Sequence, residues 1–91
     1  MPSRVSVKVK IVNRLGLHAR PAMVFVDAAV AFPCTVVVKR ADQEVDGKSI
    51  MMMMMLAATQ GTELEIVCDG ERAEDAAAAL KKLVDSGFDE E

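Results

Sequence analysis

The chain contains a single histidine, His18, set in the run Gly16-Leu17-His18-Ala19-Arg20-Pro21-Ala22. Imidazole is a nucleophile near neutral pH. The proline and the apolar helical spacing that follow place His18 at a helix N-terminus. There, backbone N–H groups lack intrahelical partners and the positive end of the helix dipole lies. Two residues on, Arg20 offers a planar fork that matches phosphate oxygens. Nucleophile, open amides and guanidinium together suit a histidine that accepts a phosphoryl group. The competing reading is an ordinary surface histidine. The chain offers no second histidine, and no Cys–His or Ser–His–Asp set for hydrolysis is evident.

Three other groups of residues carry chemistry. Ser49 precedes an apolar stretch and reads as the N-cap of a short helix. Gly47-Lys48-Ser49 looks like the tail of a phosphate-binding Walker A loop, but that motif needs glycine where this chain has Asp42, so nucleotide binding is not expected. Cys34 and Cys68 are the only cysteines and read as two reduced thiols at or near strands, although one disulfide stays open. One histidine and two distant cysteines do not make a zinc site, and no metal or other cofactor is expected. Met51 to Met55 is a run of five methionines. Consecutive residues circle a helix, so some of these side chains must be core and others exposed.

These groups sit in 91 residues, enough for one small domain spanning 1–91. The chain is 52% hydrophobic with only three aromatic residues, all Phe, so aliphatic side chains, Ala and Met must fill a modest core. A net charge of −3 and the absence of Tyr and Trp argue against a nucleic-acid partner. The first residues lead straight into a strand pattern without an apolar signal core, and the longest apolar run, Ile50 to Ala58, is too short to span a bilayer. A cytoplasmic protein without membrane insertion is expected.

The positioning elements follow from periodicity. Val5, Val7, Val9 and Ile11 alternate with polar residues as in a half-buried strand. A loop over Asn13 to Gly16 leads to a helix starting near Ala19, with Ala22, Phe25, Val26, Ala29 and Val30 at helical spacing. Phe32-Pro33 ends it. Cys34 to Lys39 and Gln43 to Val45 read as strands joined at Ala41-Asp42, and a short helix runs from Ser49 to about Ala57. Thr62 to Cys68 is a fourth strand with a turn at Asp69-Gly70, and a last helix runs from about Ala73 to Ser86, stopped by Gly87. The order βαββαβα implies an α+β fold: a four-stranded antiparallel sheet covered on one face by three helices.

The stretch Asn13 to Ala22 resembles the active-site signature of the HPr family, the histidine-containing phosphocarriers of the phosphoenolpyruvate–sugar phosphotransferase system. Gly47-Lys48-Ser49-Ile50-Met51 resembles that family's second, regulatory segment, and the likeness extends over nearly the whole chain. It implies an open-faced β-sandwich, and a carrier rather than a stand-alone enzyme. His18 would be phosphorylated on Nδ1 by Enzyme I and pass the group to sugar-specific IIA domains. Arg20 and the backbone amides of Ala19 and Arg20 would stabilise the phosphorylated site. Ser49 would be the target of an HPr kinase/phosphorylase, as in some bacteria. Leu17, Met23, Ile50, Met51 and Met54 would form a docking patch on a monomer. The resemblance leaves two alternatives: a nitrogen-type regulatory phosphorelay, or a regulatory binding module controlled at Ser49. The chain departs from many relatives in having Met52 where they carry Gly. Its first helix, over 22–31, lacks Lys and Arg and includes Asp27 where several relatives are basic.

Overall fold

In a computed structural model, which describes residues 3–89, the N-terminal alternation forms β1, Ser3–Lys10. Residues 1, 2, 90 and 91, the ends of the expected 1–91 domain, lie outside the described residues. Next come α1 (Ala19–Val30), β2 (Thr35–Arg40), β3 (Gln43–Asp46), α2 (Ile50–Met55), β4 (Glu63–Gly70) and α3 (Ala73–Asp85). A 3-10 turn over Gly87–Asp89 follows.

The sheet is wholly antiparallel in the order β1-β4-β2-β3. The fold is α+β, an open sheet with three helices. Its inner face carries Val9, Val36, Val38, Val45, Leu64, Ile66 and Cys68, all in the core. Against these residues α1 sets Ala22, Phe25, Val26 and Ala29, and α3 sets Ala76, Ala77, Leu80 and Val84. Alanines on both stripes let the helices approach closely where only three Phe are available to fill space.

The outer face is a charge ladder. Register aligns Lys8 with Glu65, Glu65 with Lys39, and Lys39 with Glu44, so signs alternate across all four strands. The Ser6 hydroxyl donates to Glu65. That bond, with Lys39, Lys8 and Arg4, holds the Glu65 carboxyl below its usual value. Cys34 and Cys68 are buried free thiols, and burial, followed by the neighbouring Cys34, pushes Cys68 up to about 11.

Two boundaries differ from the sequence pattern for physical reasons. Asp69 and Gly70 are not a turn: they pair with Arg4 and Ser3 and extend β4, and the chain reverses instead at Glu71-Arg72, with Arg72 at φ 63. The second helix stops at Met55 rather than about Ala57, because Ala57 adopts the left-handed conformation at φ 51. That is the place where glycine usually ends a helix. Ala57→Gly is therefore expected to stabilise the protein by about 0.5–1 kcal/mol, since the relieved strain exceeds the entropy glycine adds to the unfolded chain. A higher urea midpoint at unchanged slope is the check; an unchanged or lower midpoint would contradict it.

Candidate active site

The loop from β1 to α1 is pinned at several places before it reaches His18. Ile11 N–H donates to the Thr62 carbonyl at 2.9 Å, and Gly61 N–H donates back to the Ile11 carbonyl at 2.7 Å. The Asn13 side-chain amide donates to the Gly16 carbonyl at 2.7 Å from a buried position. Gly16 sits at φ +70, and a Cβ there would lie 2.6 Å from the Ala58 carbonyl oxygen and 2.9 Å from Thr59 Cα. Only glycine permits both the conformation and the approach. Leu17 N–H then bonds the Ala58 carbonyl at 2.8 Å.

Leu17 is where the structure corrects the expected docking patch. Its side chain is 6% exposed and belongs to the core. It anchors the loop immediately before His18, a position where burial of a leucine fixes the chain's exit direction. The exposed apolar residue of this loop is Leu15, 66% exposed, which the helical spacing gave no reason to single out.

His18 is the N-cap of α1, extended at φ −84, ψ −168, and its imidazole makes no capping hydrogen bond to the helix. The ring is half-buried. Ala22 N–H donates to the His18 carbonyl at 3.1 Å, and Pro21, buried in the first turn, has no N–H. The helix thus leaves the amides of Ala19 and Arg20 without an intrahelical acceptor, on two exposed residues directly after the imidazole. Arg20 itself is exposed. An imidazole, two amides and a guanidinium on successive residues suit a tetrahedral anion bound at the surface, reachable by a protein partner from outside.

Ser49 caps α2: its hydroxyl accepts from Met52 N–H at 3.2 Å, and its carbonyl accepts from Met53 N–H at 2.9 Å. The preceding Gly47 packs so tightly that a Cβ would lie 2.6 Å from Val36 Cγ1 and 3.3 Å from the Phe25 ring. Lys48 Nζ donates to the Phe32 carbonyl, beyond the end of α1, at 2.7 Å. The start of α1 meets the end of α2 through Leu17 and Ala58, and the end of α1 meets the start of α2 through Phe32 and Lys48. The two helices therefore run in opposite directions, and the structure does not bring Ser49 to His18. A span on the order of 10 Å along α2 separates them.

Between these two groups lies an apolar surface. On α2, Met53 is 1% exposed, whereas Met51 is 80%, Met55 66%, Met54 44%, Ile50 38% and Met52 37% exposed. On α1, Met23 is half exposed and lies one turn after Arg20, on the same side as Asp27 and Val30. Two polar side chains that sequence reasoning missed secure the far end of α2. Arg40 Nη1 donates to the Leu56 carbonyl at 2.7 Å, and Gln43 Nε2 to the Met55 carbonyl at 3.2 Å. Their separation from α2 along the chain leaves no local signal for these contacts.

Comparisons with known proteins place the chain in a family. The family model for the PTS HPr component phosphorylation site matches residues 5–86. Phosphocarrier protein HPr of Pseudomonas putida is 52% identical over 91 residues, 99% of this chain and 98% of that protein. Phosphocarrier protein NPr of Escherichia coli K12 is 35% identical over 88 residues, 96% of this chain and 98% of that protein. Two crystal structures of HPr from Thermoanaerobacter tengcongensis are also similar, each at 39% identity. HPr-C-His superposes with a TM-score of 0.92, covering 96% of this chain and 98% of that one. An HPr dimer superposes at 0.75, covering 90% and 94%. No helix among the described residues is long and apolar enough to cross a membrane.

Proposed function

Because the chain belongs to the HPr family of phosphocarrier proteins, we propose that His18 takes a phosphoryl group from phosphorylated Enzyme I, on Nδ1, and passes it to IIA domains in cytoplasmic sugar uptake. The observation that carries this reading is the placement of His18 at the N-cap of α1, half-buried and directly before two exposed residues, Ala19 and Arg20, whose amides lack intrahelical acceptors and suit an anion held there. Arg20 supplies the matching positive charge. The transfer is an in-line displacement: a nitrogen–phosphorus bond forms on His18 as the donor's bond to phosphorus breaks, and the reverse holds when the acceptor attacks. A half-buried ring at a surface loop lets both partners approach along that line. The site stabilises the phosphohistidine modestly, which keeps the group transferable.

Met23, Ile50, Met51 and Met54, with Leu15 in place of the buried Leu17, form the docking face. Thioethers suit it because one surface must fit several partners. The absence of Lys and Arg from residues 22–31, beyond the first turn of α1, removes a source of electrostatic steering, so apolar contact carries more of the recognition. Greater identity to HPr than to NPr favours the sugar branch over a nitrogen-type relay. The reading is tested by incubating the protein with phosphoenolpyruvate and Enzyme I and weighing it intact. One acid-labile phosphoryl group is expected. No added mass with an active Enzyme I would overturn the reading.

Ser49 acts as the regulatory position, the target of an HPr kinase/phosphorylase, and does so through the docking face rather than by touching His18. Ser49→Asp keeps an N-cap acceptor and adds a negative charge beside that face. It is expected to raise the KM of Enzyme I-dependent phosphorylation roughly tenfold at low salt, with the effect shrinking as salt screens it. Ser49→Ala is expected to cost about 1 kcal/mol of stability and to leave KM near wild type. Equal KM values for Ser49→Asp and Ser49→Ala would contradict the charge mechanism.

A further inference from the structure

The methionine run is denser than docking alone requires, and its geometry sorts the thioethers by exposure. On a six-residue helix at 100° per residue, Met53 and Leu56 point to the core. Met51, Met54 and Met55 stand at the i, i+3 and i+4 positions of the opposite side, at 80%, 44% and 66% exposure. Met23 on α1 is exposed to 50%. Aliphatic residues would give an apolar face of similar size without placing oxidisable sulfur in water. Met53, at 1% exposure in the same helix, is a built-in control with the same chemistry and no solvent.

We propose that Met51, Met54 and Met55, with Met23, are a peroxide-sensitive modification site, and that their conversion to sulfoxides weakens partner docking while His18 stays able to carry phosphate. The inference rests on the docking reading above. In the step itself, a thioether sulfur donates an electron pair to one oxygen of hydrogen peroxide. The O–O bond breaks, an S–O bond forms, and the remaining oxygen leaves as water. Sulfur is oxidised by two electrons and the peroxide is reduced. A methionine sulfoxide reductase reverses the change with a dithiol, which becomes a disulfide while the oxygen leaves as water. The sulfoxide is polar and hydrogen-bonds water, so a face that buries easily becomes one that must be desolvated. None of these sulfurs is on the loop that positions His18, so the phosphoacceptor geometry is left intact. The buried thiols Cys34 and Cys68 are withdrawn from solvent, at 2% and 0% exposure, and are not competing targets.

The experiment treats the whole protein with hydrogen peroxide, maps each methionine by peptide mass spectrometry, and measures Enzyme I-dependent phosphorylation before and after. Sulfoxides are expected at Met51, Met55, Met54 and Met23, with Met53 spared. KM is expected to rise roughly tenfold at unchanged phosphoryl stoichiometry, and reductase treatment to restore it. A Met51→Leu/Met54→Leu/Met55→Leu variant, compared with itself before and after peroxide, is expected to show a much smaller rise. An unchanged KM in fully oxidised wild type, oxidation of Met53 as fast as Met51, or an equal rise in the leucine variant would overturn the inference. If the untreated protein accepts no phosphoryl group, the carrier reading falls and this inference with it. If the untreated protein is phosphorylated and peroxide leaves KM unchanged, only this inference fails.

Discussion

His18→Ala is expected to lose phosphoryl acceptance by more than about a thousand-fold while remaining folded, because the substitution removes the proposed nucleophile and no second imidazole can replace it. The chain has no second histidine. The imidazole makes no capping bond to α1, and the helix keeps its first backbone bond from Ala22 N–H to the residue 18 carbonyl. With the helix's own backbone bonds kept and the ring only half-buried, a stability change of about 1 kcal/mol is expected. The measurement is phosphoryl transfer from Enzyme I, followed by intact mass, with the unfolding midpoint as control. Residual acid-labile phosphorylation of the alanine variant would place the acceptor elsewhere. An acid-stable phosphate on the same variant would point to Ser49, whose ester chemistry differs from a phosphohistidine. Arg20→Ala isolates the other half of the site. It keeps the nucleophile and both amides, so it slows transfer without abolishing it.

Gly16→Ala is expected to destabilise the protein by about 2–4 kcal/mol and to cut kcat/KM for phosphorylation roughly a hundred-fold. The added methyl group would meet the Ala58 carbonyl oxygen at 2.6 Å and Thr59 Cα at 2.9 Å, both backbone atoms that cannot rotate away. The left-handed conformation at φ +70 adds about 1–2 kcal/mol for any L residue. Relief requires the loop to move off the segment after α2. That movement stretches the Leu17 N–H bond to Ala58 and shifts the residue next to His18. Gly61→Ala separates strain from clash: Gly61 also has positive φ, at +90, but nothing lies within 4 Å of its Cβ direction. It is expected to cost only the conformational term and to leave phosphorylation near wild type. Equal losses in the two variants would show that the contact between residues 16 and 58 does not position the active loop.

The single histidine, the arginine two residues on and the proline of the first turn are local facts, and local pattern was enough to read the helix N-terminus at His18 and the α+β element order. Ser49 as an N-cap was equally legible, because capping is settled within four residues: the hydroxyl and Met52 N–H are neighbours along the chain. Periodicity also separated Phe25, Leu80 and Ile66 as core, since each sits on one stripe of its own element.

Other features depended on contacts between distant segments. The central place of β4 pairs it with β1, more than fifty positions away along the chain, and with β2, and no property of residues 63–70 names these partners. Leu17 and Leu15 have the same side chain and flank the same glycine. Only the docking of the loop on Ala58 buries one and exposes the other. The methionines of residues 51–55 are chemically identical, so the sequence could say that some face solvent but not which. The packing of α2 against α1 and the hairpin of β2 and β3 makes that choice, burying Met53 and leaving Met51 in water. Sequence by itself determined the candidate group, His18, as the residue at a helix start and the elements that present it, because those follow from interactions within a few residues. Tertiary structure decided which side chains surround it and how far Ser49 stands from His18, because burial and antiparallel helix packing arise only when segments far apart along the chain are brought together.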